Sequence, residues 1–137
     1  MQQKIRKLRS VSYQPVCYGE LLAYELAFNE AMRLNRALPM LTEEESPLVS
    51  KLVEEAGEVC TFLAQAWAVR QCKAQFIENL HEAEATAAKV QTWVAFAVEC
   101  GYLAVEDGSV HRDLYNDVLK EIRFLIKTAD IVVRLVA

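Results

Sequence analysis

The sequence predicts an all-α protein, an up-down-up-down four-helix bundle, on three observations. Between Phe76 and Leu103 the residues Phe76, Leu80, Ala83, Ala87, Val90, Val94, Ala97 and Gly101 recur at steps of 4 and 3. That spacing keeps one stripe of an α-helix facing a partner helix. Other long stretches on either side carry similar spacing. The 137 residues also hold only 4 Gly and 3 Pro, so turns are few and elements long.

Residues 1–17 read as a basic N-terminal arm, in which Lys4, Arg6, Lys7 and Arg9 place four positive charges before residue 10. Pro15 disfavours one continuous helix from residue 1. Residues 18–137 read as the bundle. Its first helix is expected from Tyr18 or Gly19 to Leu38, with Tyr24, Phe28, Ala31, Leu34 and Leu38 as its stripe, Leu22, Leu26 and Ala27 beside it, and Pro39 as its stop. The linker Met40–Glu45 carries Glu43, Glu44 and Glu45, which favour the positive end of the next helix.

Ser46 and Pro47 read as N-cap and first helical residue. The second helix is expected to run to about Arg70 on the stripe Leu52, Ala56, Val59, Leu63 and Ala66. Val49, Val53, Phe62, Trp67 and Val69 are apolar beyond what one stripe needs. The third helix is the stretch from Phe76, roughly 40 Å long at about 1.5 Å per residue. Gly101 stops it, since Gly takes the left-handed conformation cheaply, and Leu103 folds back as the apolar contact. Ala104–Ser109 reads as a loop marked by Asp107-Gly108. The fourth helix follows from about Ser109 to Arg134 on Tyr115, Val118, Ile122, Leu125, Ala129 and Val132, with Leu119, Ile126 and Val133 alongside.

Hydrophobic residues make up 53% of the chain, somewhat rich for a small monomer, which leaves apolar surface for a subunit interface. Net charge is −4; the four arm charges leave −8 on the remainder. This balance disfavours a general nucleic-acid binder and confines that role to the arm. The four Cys (Cys17, Cys60, Cys72, Cys100) form no C-x-x-C pair, and reduced thiols of a cytoplasmic protein are expected. No apolar run approaches about 18 residues, so no membrane span is expected. The basic start lacks an apolar h-region, so no secretory signal is expected.

Two acidic motifs carry candidate chemistry. Glu54-Glu55-x-x-Glu58 is followed by Glu78-x-x-His81. A di-iron bundle needs two Glu-x-x-His motifs; here there is one, and it misses the Phe76/Leu80/Ala83 stripe, so a solvated face is expected. The string from Lys51 to Val59 also resembles the first motif of the all-α nucleotide pyrophosphohydrolases of the MazG type. That resemblance implies Mg²⁺ held by Glu54, Glu55, Glu58 and Glu78. The family's second motif is E-x-x-D, and His81 stands where the Asp would be. No nucleophile triad and no phosphate loop can be placed by spacing, so no catalytic residue, cofactor or metal is expected. Lys89, among small residues, reads as exposed or as part of an intersubunit ion pair.

A second resemblance covers most of the chain. Phe76-Ile77-x-x-Leu80-x-x-Ala83-Glu84-Ala85-x-Ala87-Ala88-x-x-Gln91-x-Trp93, then Phe96-Ala97 and Cys100 to Leu103, is similar to the third helix of a bacterial four-helix-bundle family. Its first members are encoded in intervening sequences of 23S ribosomal RNA genes. Val59-Cys60, Leu63-Ala64 and Ala66-Trp67 resemble its second helix; Ala27-Phe28, Ala31-Met32 and Pro39 resemble its first. The resemblance implies a ring-shaped homopentamer. It also implies kinship with the accessory variability determinant of diversity-generating retroelements, which binds nucleic acid. Where the family is basic, this chain has Val53, Glu54, Gly57, Ala68 and Val69; Gln65 and Lys89 replace acidic residues. Phosphate affinity comes from Lys and Arg, so the nucleic-acid role is not implied here.

The expected function is therefore a non-enzymatic, self-associating interaction or scaffold protein. Leu52, Val53, Leu63, Trp67, Val69 and Trp93 are its packing or contact residues. The partners expected are further copies of the chain and, on an apolar helix face, another protein. The loss of exposed charge reads either as a gained partner surface or as a face redesigned for assembly.

Overall fold

The structure, a computed structural model, describes residues 21–136. The arm residues Lys4, Arg6, Lys7 and Arg9, and the expected helix start at 18–20, lie outside the described residues. The described chain is all-helical: α1 Leu22–Ala37, α2 Pro47–Ala68, α3 Lys73–Glu99, α4 Val105–Lys127 and α5 Ala129–Val136. Each of α1 to α4 packs on the next, and α1 closes against α4. No described helix is long and apolar enough to cross a membrane.

The core follows the 3/4 stripes of α2, α3 and α4. Leu52, Ala56, Val59, Leu63 and Ala66 of α2 are buried, as are Phe76, Leu80, Ala83, Ala87, Val90, Val94 and Ala97 of α3. Tyr115, Val118, Ile122 and Leu125 of α4 complete it, with Ala129 and Val132 of α5. At the start of α2, Ser46 Oγ accepts from the Val49 amide at 3.2 Å, as its sequence position predicts. The turn before it is closed by a reciprocal pair: the Thr42 amide donates to Glu45 Oε1 and the Glu45 amide to Thr42 Oγ1, each at 3.2 Å. At the end of α3, Gly101 has φ +81°. The Tyr102 amide reaches Ala97 O at 2.8 Å and the Gly101 amide reaches Val98 O at 3.0 Å. These two bonds satisfy carbonyls that the helix leaves open.

Three expectations are corrected. The inward face of α1 is Leu22, Ala23, Ala27, Glu30 and Leu34. Phe28 is 47% exposed, while Tyr24 and Ala31 are only partly buried, so the helix is turned from the expected stripe. The physical reason is Glu30, a charged-type residue that the core accepts because it has a partner there. Next, Asp107-Gly108 is not a loop but lies in the first turn of α4. Glu106 and Asp107 favour that helix end through the dipole. Gly108 is buried because α3 passes against it: an added Cβ would fall onto Val98 Cγ2. Finally, the fourth helix is not continuous to Arg134. It breaks at Thr128, whose hydroxyl donates back to Phe124 O at 2.7 Å, and α5 starts anew.

The Gly108 contact gives a signed test. Replacing Gly by Ala inside a helix gains about 1 kcal/mol, whereas overpacking costs about 1–3 kcal/mol. The Val98 side chain has little room to turn, because β-branched residues are stiff in helices. Gly108→Ala is expected to lower the melting temperature in the wild-type background and to raise it in a Val98→Ala background, measured by calorimetry.

Candidate functional site

Among the described residues Glu30, Glu55 and Glu121 are buried, and the first two organise the polar interior. Glu30 on α1 is almost wholly buried and bonds through Oε1 to His111 Nδ1 on α4. Its Oε2 lies 3.8 Å from Arg33 Nη1, a half-exposed guanidinium one turn along α1. His111 lies four residues before Tyr115, so both rings leave α4 on the core side, and the Tyr115 hydroxyl is buried with no hydrogen-bond partner among the described residues. Burial, with the nearby acidic groups of Glu30 and Cys60, raises the pKa of Tyr115 above the usual phenol range. The Cys60 thiol on α2 bonds its own helix at Ala56 O, 3.9 Å away. Burial pushes its pKa up to about 11, so the group stays a neutral thiol. Glu30, His111, Tyr115 and Cys60 thus join α1, α2 and α4 in one layer.

The second carboxylate, Glu55 on α2, accepts from Trp93 Nε1 of α3 at 2.6 Å and has Lys51 Nζ at 3.7 Å from its other oxygen. It belongs to the acidic motif, but its neighbours do not join it. Glu54 is exposed, Glu58 is partly buried, and Glu78 and His81 of α3 are exposed. Among the described residues no three His, Cys, Asp or Glu side chains are placed to share a metal ion. His81 instead faces Glu84 at 3.3 Å, and Glu84 accepts from Arg123 Nε of α4 at 2.7 Å. Arg123 holds the Glu84 carboxyl below its ordinary value; the hydrogen bond from His81 adds to this.

The expected contact residues fall into two groups. Leu52, Leu63 and Trp67 are buried within the single chain and are packing residues. The Trp67 ring carries Arg70 stacked at 4.6 Å, and Arg70 Nη1 donates to Trp67 O. Val53, Val69 and Trp93 are only partly buried, and Trp93 meets the half-exposed Phe96 at 5.7 Å between centroids. Neither Glu30 nor His111 is among the candidate residues that the sequence motifs mark. A signal for both existed: Glu30 continues the series Ala23, Ala27, Leu34, and His111 extends the Tyr115, Val118, Ile122 stripe backwards. Compared with protein-family models, with curated proteins and with solved structures, the chain matches none.

Two outcomes test these bonds. Glu55→Ala removes the acceptor of Trp93 Nε1; a loss of about 1–2 kcal/mol and a shift in tryptophan emission are expected, with Glu55→Gln retaining most of both. Glu84 has a depressed carboxyl, so the stability it contributes is present above its ordinary value of 4.5 and is lost as pH falls through the lower folded value. The pair is largely solvent-facing, worth about 0.2–1 kcal/mol. Arg123→Ala is expected to flatten the acid limb of a urea-denaturation series by that amount.

Proposed function

We propose that the chain is a self-associating helical bundle that serves as an interaction or scaffold protein rather than an enzyme. The observation that carries this reading is the outer face of α1. Turned by Glu30, α1 leaves Phe28 and Met32 in solvent, 47% and 38% exposed, with Tyr24 stacked on Phe28 at 6.0 Å between centroids. Farther along the chain, an open groove of about 400 Å³ is lined by Asn35, Leu38, Met40 and Val53, at the seam with α2. Grouped exposed apolar residues of this kind mark contact surfaces more than scattered single ones do.

The α2 sequence supports the same reading. From Val59 to Val69 no residue is charged, although Thr61, Gln65 and Ala68 are exposed. The resemblance to the ring-forming family makes further copies of this chain the preferred partner and five the preferred number. The acidic motif gives the enzyme reading little support, because Glu55 is already engaged by Trp93 and Lys51.

Light scattering on a size-exclusion column tests the proposal. A mass about five times the 15.5 kDa chain is expected. The double variant Phe28→Glu, Met32→Glu is expected to run at the single-chain mass with unchanged helicity, since neither side chain belongs to the core. A wild-type protein at 15.5 kDa over the accessible concentration range would overturn the assembly reading.

A further inference from the structure

We propose that α1 is a releasable helix, which opens from the α2–α3–α4 core as a unit and is latched by the Glu30–His111 pair. This goes beyond self-association and does not depend on it. Among the described residues, α1 packs against α2 and α4, and it is the shortest of the four bundle helices at 16 residues. Its inward face is poor in apolar volume, with Ala23 and Ala27 at two of five positions and Glu30 at a third. By comparison α3, at 27 residues, buries eight, none of them charged. Burial of apolar surface is the main force holding one helix on another, so α1 is the more weakly held element.

The end residues of α1, Leu21 and Leu38, are buried in the core, but, as in α3 and α4, no side-chain cap closes the helix start. Its N-cap is Leu21 and its C-cap is Leu38, both extended, and neither position offers the side-chain oxygen that caps α2. What crosses from the middle of α1 to α4 is the bond between Glu30 and His111, 81 residues apart in sequence. A buried pair of this kind holds firmly while both partners are present and fails sharply when one is removed, because the other is left uncompensated. Small subglobal openings of this type are common in helical proteins. Opening of α1 would uncover the interior layer that it shares with Cys60 and Tyr115, while α2, α3 and α4 retain their mutual stripes.

Cys60 is a built-in reporter, because a buried neutral thiol reacts only when uncovered. The experiment is thiol labelling of Cys60 in the full chain with Cys17, Cys72 and Cys100 replaced by Ser, alongside hydrogen exchange of the unaltered protein. Glu30→Ala is expected to speed Cys60 labelling at least tenfold, and the double variant Glu30→Leu, His111→Leu to return it to the native rate or below. Leu80→Ala, which weakens α3, is expected to leave labelling in the absence of denaturant unchanged. In the unaltered protein the amides of α1 are expected to exchange at least tenfold faster than those of α3. Labelling that accelerates equally in Leu80→Ala and Glu30→Ala, or α1 amides as protected as those of α3, would overturn the proposal. The exchange comparison decides the matter even where Glu30→Ala fails to fold.

Discussion

The contact between Glu30 and His111 sets the geometry from which much else follows. A carboxylate enters a helical core only with a partner, because an unpaired buried charge is too costly. Once Glu30 must meet His111, the rotation of α1 is fixed: Ala23, Ala27 and Leu34 go inward with it. Leu34 and Leu38 of the expected stripe stay inward, so the turn is less than one residue's step of about 100°. Phe28 and Met32 are exposed as a result. The polar pair inside and the apolar patch outside are two faces of one constraint.

Other polar contacts act at separate seams. Glu55 ties α2 to α3 through Trp93, and Glu84 ties α3 to α4 through Arg123. Farther along α3, Gln91 donates to Arg112 O and Asn116 Oδ1 of α4 at 2.9 and 2.8 Å. Hydrophobic burial does not distinguish one helix register from the next, since neighbouring apolar side chains are interchangeable to first order. Directional bonds between particular atoms do, because a slip of one turn leaves donors and acceptors apart. In this bundle the apolar stripes supply the attraction and the named bonds supply the alignment.

The helices α2 and α3 were legible in the sequence because every position of their stripes is apolar, and periodicity reads apolar positions. The Ser46 cap and the Gly101 stop were legible because each rests on a single backbone requirement that few residues meet. The rotation of α1 was not legible by the same rule, because its central inward residue is Glu30, and apolar periodicity assigns no charged residue to the core. Gly108 misled in the opposite way. Its pairing with Asp107 is a turn signal by local rules, but the glycine answers a long-range need, room for Val98, which local rules do not contain. The two polar bonds that define the interior join residues 81 and 38 positions apart, and no local pattern relates such positions.

The uncharged stretch from Val59 to Val69 bears on how the chain reaches this structure. α2 finds its most extensive partner, α3, immediately downstream across a short connection, so their pairing is a local event that can proceed early. Closure of α1 on α4 joins distant parts of the chain and pays its loop entropy late. During synthesis α2 emerges before α3 is complete, with eleven consecutive residues that carry no charge to keep separate chains apart. The interval before α3 folds back is therefore when this protein is most exposed to mispairing between copies. The pace at which residues 73–99 become available then decides how much of it assembles correctly.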